Sequence, residues 1–125
     1  MDNYCEVLKL ALAGVNAPSR FEIVLSRLVR NALEAHHIDY RAEVRLSEHD
    51  RLDFFIPSPG VAIEIKVKGS LSALLRQIHR YAAHEEIKEI VVVTNQRRLL
   101  KLPGEMGDFQ GGKKIPVNAI WAGVF

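Results

Sequence analysis

Residues 61–67 read Val-Ala-Ile-Glu-Ile-Lys-Val, and this alternation constrains the fold more than any other segment. Successive side chains leave opposite faces of an extended chain. Val61, Ile63, Ile65 and Val67 therefore share an apolar face, while Ala62, Glu64 and Lys66 share the other. A strand of this kind must line a core on one face, and it carries a carboxylate and an ammonium together on the opposite one. The preceding segment, 51–56, connects to it across Pro57-Ser58-Pro59-Gly60, a run of turn formers. Alternation places Leu52, Phe54 and Ile56 on one side of that segment and Arg51, Asp53 and Phe55 on the other. With the two strands as register neighbours, Asp53 lies near Glu64.

The rest of the chain fits around this hairpin. Apolar spacing predicts a short helix over 4–13, which Gly14 ends and Pro18 keeps from continuing. A second helix is expected from Ser19 to about 37. Ser19-Arg20-Phe21-Glu22 has the form of a capping box, and Phe21, Val24, Leu25, Leu28, Val29 and Leu33 recur at helical spacing. Residues 40–46 read as a first strand. After the hairpin, Ser70 is an N-cap for a third helix whose stripe is Leu71, Leu74, Leu75, Ile78 and Ala82. The continuous apolar run 90–93 predicts a strand covered on both faces and reached by a crossover, hence parallel to 61–67. Residues 95–114, with four glycines and Pro103, read as mostly loop, and 117–125 as a last strand.

These elements predict a single α/β domain over 1–125, with a mixed central sheet of about five strands flanked by helices. A chain of 125 residues, 48% of them hydrophobic, can bury a sufficient core without staples. Its single cysteine excludes an intramolecular disulfide and a Cys-based zinc cluster, and a reducing cytoplasm is the expected compartment. No uncharged apolar stretch approaches the ~18 residues of a membrane span, so no membrane association is expected. The net charge of +2 does not by itself indicate nucleic-acid binding. Arg20, Arg27, Arg30, Arg41, Arg45 and Arg51, however, fall close together in sequence and can build a phosphate-binding surface.

Two carboxylates converging on the polar face of a sheet supply the hard oxygens that Mg²⁺ prefers. A neighbouring lysine adds the cation that stabilises charge developing on a phosphoryl group. The structural alternative is a cross-strand ion-pair cluster on a solvated sheet face. The histidines show no zinc-ligand spacing, and phosphate-binding, dinucleotide-binding and serine-hydrolase motifs are missing from the sequence.

Asp53, ten intervening residues and then Glu64-Ile65-Lys66 resemble the PD-(D/E)XK motif of restriction-endonuclease-like nucleases. The likeness extends from Ser19 to Thr94, through a helix carrying Glu22, the motif hairpin, Gly69, a crossover helix and an apolar strand. Leu52 stands where the motif's proline would be. The resemblance implies a restriction-endonuclease-like core, a Mg²⁺ or Mn²⁺ cofactor, and hydrolysis of DNA phosphodiesters, with branched or structured DNA as the preferred substrate. It also implies Asp53, Glu64 and Glu22 as metal ligands, the Ile65 backbone carbonyl as a further one, and Lys66 as the group that positions or activates water. Glu22 has a structural reason as well, as the fourth member of the capping box.

Gln77 and Tyr81, one turn apart, are similar to the Gln-x-x-x-Tyr signature of RecB- and Cas4-type nucleases, in which the Gln approaches the metal site or the DNA. Arg76, Arg80 and His84 share a helix face that either meets phosphates or is plain solvated surface. Glu43 on the first strand is the substitute for Glu22, although Ala42 and Val44 alternating around it fit a solvent-facing position. So small a core has little surface for holding a duplex, so a homodimer or a subunit of a larger assembly is expected. The rival readings are a non-catalytic DNA-binding module of the same fold and an RNA-directed nuclease.

Overall fold

The computed structural model describes residues 3–107 and 113–124. Residues 108–112 of the expected loop, and Phe125 at the end of the expected last strand, lie outside the described residues. Within them the chain runs α1 (Cys5–Ala11), α2 (Glu22–Ala35), β1 (Arg41–Arg45), β2 (Arg51–Ile56), β3 (Val61–Lys66), α3 (Leu71–Ala82), β4 (Glu89–Thr94), a 3₁₀ turn (Arg97–Leu100), β5 (Gly104–Gly107) and β6 (Lys114–Trp121). The strands form one mixed sheet in the order β1-β2-β3-β4-β6-β5.

The motif hairpin is antiparallel, with Phe54 opposite Ile63 and Ile56 opposite Val61. β3 and β4 are parallel, from Val61 opposite Glu89 to Lys66 opposite Thr94. The apolar run is therefore central and parallel to β3, as its composition requires. All six residues of β4 are buried. One sheet face packs under α1 and α2, through Leu8, Leu25, Val29, Leu33, Ile63, Ile65, Val91 and Val93. The other packs under α3, through Leu74, Ile78, Tyr81, Ala62, Ile90 and Val92. Among the described residues no helix is long and apolar enough to cross a membrane.

Three local features depart from the sequence expectation. The sheet has six strands rather than about five, because Gly104–Gly107 pairs antiparallel with β6 inside the expected loop, and β6 begins at Lys114 rather than 117. Edge pairing of this sort depends on a partner strand and leaves little trace in periodicity. Ser19 does not cap α2 as the capping box requires: its Oγ accepts from Phe21 N at 2.9 Å, Phe21 is the N-cap, and the helix starts at Glu22. Glu22 thus sits in the first turn, where a carboxylate complements the helix dipole. Ser70, by contrast, caps α3 as expected, accepting from Ala73 N at 3.1 Å.

The third departure shapes the site. Leu52 packs under α3 together with Phe55, whereas Phe54 and Ile56 pack on the opposite face, so the expected grouping of Leu52 with Phe54 and Ile56 fails. The alternation of β2 slips at Asp53. β1 slips at the same level, since Tyr40 packs on the Phe54 side and Val44 on the Leu52 side. Between them Glu43 has φ 53, a left-handed conformation that is costly for a residue other than glycine.

Two further contacts fix the frame. The Glu89 carboxylate on β4 is buried and accepts from Tyr4 N at 2.7 Å and Cys5 N at 2.8 Å. It satisfies two orphan donors at the start of α1, an interaction worth about 1 kcal/mol or more. Gly60 has φ 107, and a Cβ there would come within 2.7 Å of the Glu86 carbonyl. That close approach lets Gly60 O accept from Lys88 N at 2.8 Å, which locks the hairpin turn against the entry to β4.

Candidate active site

Where β2 slips, its paired register with β3 stops at Phe54, and side chains take over the ladder. Asp53 Oδ2 accepts from Ile65 N at 2.7 Å, and Asp53 N donates to Glu64 Oε1 at 3.2 Å. Each carboxylate thus holds the other strand's backbone. The Ile65 side chain is buried in the core under α1 and α2, as its position in the alternation requires. N–H and C=O of one residue leave an extended strand by the same edge, so the Ile65 carbonyl faces the Asp53 side too.

Lys66 Nζ lies 3.8 Å from Glu64 Oε2, with the lysine side chain 26% exposed and the glutamate 4%. Asp53, Glu64 and Lys66 therefore stand together at this end of the hairpin, where strand alternation and register set them. The buried acid is presented to solvent through the amine beside it.

Burial dominates the electrostatics. Glu64 is pushed up to about 8, first by desolvation and then by the charge on Asp53, with Lys66 and the bond from Asp53 N opposing. Asp53 is pushed up to about 6 by desolvation, against the bond from Ile65 N; the charge of Glu22 raises it further. Two carboxylates that share a low-dielectric site disfavour joint ionisation. A cation placed between them would remove that penalty. Glu22 itself is exposed, and it raises both neighbours.

Glu22, Glu43, Arg30, Arg51 and Asp53 line one concavity of about 260 Å³. Glu43, whose left-handed backbone interrupts β1, is exposed as expected and stands on the wall of this concavity. The turn 47–50 could have revealed this, since Arg45 pairs with Arg51 and Val44 with Leu52, and continuing the register sets Glu43 level with Asp53. Among the described residues no group of three His, Cys, Asp or Glu side chains stands close enough to hold a metal ion as placed. Asp53 and Glu64 form the inner pair, the Ile65 carbonyl offers a neutral oxygen on the same edge, and Glu22 and Glu43 stand further out.

Gln77 lies on the α3 side. It lines a concavity of about 350 Å³ with Lys66, Lys68, Arg76 and Arg80. Its Nε2 donates to Tyr81 Oη at 2.8 Å, and Tyr81 donates to Arg51 O at 3.0 Å. Buried Tyr81 therefore ties α3 to β2 two residues from Asp53, and burial together with the charge on Glu64 holds its hydroxyl protonated. Gln77 is accordingly a held wall residue of the site.

The Arg76, Arg80 and His84 face divides. Arg80 Nε binds Asp50 Oδ1 at 3.0 Å, and His84 Nε2 stands 3.3 Å from Asp50 Oδ2. Burial raises the Asp50 pKa, but the bonds from Arg80 and His84 outweigh it, and the carboxyl titrates below its usual range. Arg80 and His84 thus brace α3 against the β1–β2 turn, which leaves Arg76 and Lys68 on the concave wall. Lys68, which alternation alone did not single out, lines both this concavity and one of about 250 Å³ shared by Arg20, Phe21, Glu22 and Lys66.

Comparison with protein-family models, curated proteins and solved structures returns no match, so the geometry of the site carries the functional reading.

Proposed function

We propose that the protein is a Mg²⁺- or Mn²⁺-dependent nuclease that hydrolyses DNA phosphodiesters, with branched or structured DNA as its preferred substrate and a restriction-endonuclease-like core. The observation that carries this reading is the interlocked pair of buried, mutually repelling carboxylates, Asp53 and Glu64, with Lys66 Nζ at 3.8 Å. A structural ion pair needs one acid and one base. A second desolvated acid makes the cluster costly without a divalent cation, and strongly raised carboxyl pKa values in a cleft mark functional sites.

Asp53 and Glu64 would hold the ion, with the Ile65 carbonyl and Glu22 contributing from the same opening. When bound, it supplies Lewis acidity toward a phosphate oxygen and lowers the pKa of a coordinated water. The chain's own groups complete the chemistry. Lys66 lines the open concavity, where its ammonium would stabilise charge on a pentacovalent phosphoryl group and orient the attacking water. Gln77, held by Tyr81, offers an amide to the same space. Arg20, Lys68 and Arg76 line the approach and favour a polyanion over neutral substrates.

One observation favours a non-catalytic DNA-binding module: both acids already have backbone partners. The test is cleavage of supercoiled plasmid, a four-way junction and a matched RNA, each with Mg²⁺, Mn²⁺ or EDTA. The nuclease reading expects DNA cleavage with either ion and none in EDTA. Binding of the junction without cleavage under any ion supports the module instead, and cleavage confined to RNA overturns the DNA assignment.

A further inference from the structure

On either side of Glu22 the chain exposes large apolar side chains. Phe21 and Ile23 each retain 67% of their surface, and Val24 retains 41%. Phe21 is the N-cap of α2 and makes no side-chain capping bond there; its backbone is engaged, with N donating to Ser19 Oγ and O accepting from Val24 N. The core beneath α2 is filled instead by Leu25, Val29 and Leu33. Nothing in the folding of α2 calls for an aromatic ring at position 21.

The surroundings of the ring specify what it can meet. Phe21 lines the concavity of about 250 Å³ whose other walls are Arg20, Glu22, Lys66, Val67 and Lys68. An aromatic face bordered by three cations offers a π-surface to a base and guanidinium or ammonium groups to the phosphates on either side of it. Base pairs in a continuous duplex have no free face to present, so the base that lies on Phe21 must be unstacked.

Building on the reading of the site as one that takes nucleic acid, we infer that Phe21 is a stacking platform for an unpaired base. The strand is held by Arg20 and Lys68 as it enters beside Lys66, and the preferred substrate carries a single-stranded segment next to the scissile bond. Phe21 acts here as a specificity-determining residue. It takes no part in bond breaking.

The test is binding in EDTA, where hydrolysis is excluded, of a 2-aminopurine-labelled single-stranded oligonucleotide and of the matching duplex, by anisotropy and by 2-aminopurine emission. Phe21→Ala is expected to weaken single-strand binding about tenfold and to remove the quenching of 2-aminopurine, with duplex binding and Tm unchanged. Phe21→Tyr, which keeps the ring, is expected to retain both. Equal losses on single strand and duplex, or no loss at all, would overturn the inference. So would a self-association abolished by Phe21→Ala while nucleic-acid binding persists. Phe21-dependent single-strand binding by a chain that cleaves nothing would sustain this inference and remove the hydrolytic reading. Cleavage by a chain whose single-strand binding is indifferent to Phe21 would do the reverse.

Discussion

Replacing Lys66 by alanine, or Asp53 by asparagine, is expected to lower metal-dependent DNA cleavage by at least about a hundredfold under single-turnover conditions, the usual loss when one group stabilising transition-state charge is removed. The two changes act on different parts of the site. Lys66→Ala removes the ammonium 3.8 Å from Glu64 and touches no backbone bond. Asp53→Asn removes a negative charge but keeps an oxygen able to accept from Ile65 N, which Asp53 now does at 2.7 Å. The variants should therefore retain the circular dichroism of the parent. Cleavage at the parental rate in either well-folded variant would exclude these residues from the chemistry.

The second large effect is on stability, and its sign runs opposite to that of an ordinary ion-paired acid. In the metal-free chain Glu64 titrates at about 8 against a usual 4.5, and Asp53 at about 6 against 3.8. Below the usual values both acids are protonated folded or unfolded, and the native state has its full advantage. As pH rises through the interval, the unfolded chain releases protons that the native chain retains. Stability therefore falls from about pH 4 to about pH 8 and levels off above. Asp50, whose pKa is lowered, stays ionised across that window and does not offset the trend. The loss should be on the order of a few kcal/mol, seen in EDTA as a Tm lower by roughly 10 °C at pH 8.5 than at pH 5. Glu64→Gln cannot ionise and still offers an oxygen to Asp53 N, so it should flatten the curve and be the more stable protein at pH 8.5. A parental Tm that rises over this interval would contradict the burial assigned to the pair.

Much of this was legible in the residues. The alternation of 61–67 placed Ile65 in the core and Glu64 beside Lys66, and the apolar run of β4 announced a strand covered on both faces. Asp53 met Glu64 because a tight turn fixes the register of its hairpin. What could not be read is where local pattern and tertiary geometry disagree. Leu52 fails the alternation because β1 and β2 slip together at Glu43 and Asp53, and a left-handed residue inside a strand leaves no periodic signature. Glu43 is exposed, as its place in the sequence implies, but the same slip sets it on the wall of the concavity that Glu22 and Asp53 also line. Ser19 matched a capping box but bonded Phe21 N instead, because Asn95 Nδ2 grips the carbonyls of Ala17 and Ser19 at 3.0 and 2.7 Å and fixes the approach to α2 from 76 residues away in sequence. Arg80 and His84 were visible as a helix face, but their partner Asp50 lies about 30 residues earlier, and no spacing rule connects them.

The central claim is that Asp53 and Glu64 form a divalent-cation site, and calorimetric titration of the metal-free protein with Mg²⁺ or Mn²⁺ near pH 7, repeated in buffers of different ionisation heat, tests it most directly. Uptake accompanied by proton release, as a carboxylate that is largely protonated at that pH gives up its hydrogen to the ion, and abolished in Glu64→Gln, is the predicted result. Absence of uptake, or uptake undiminished in that variant, would contradict it.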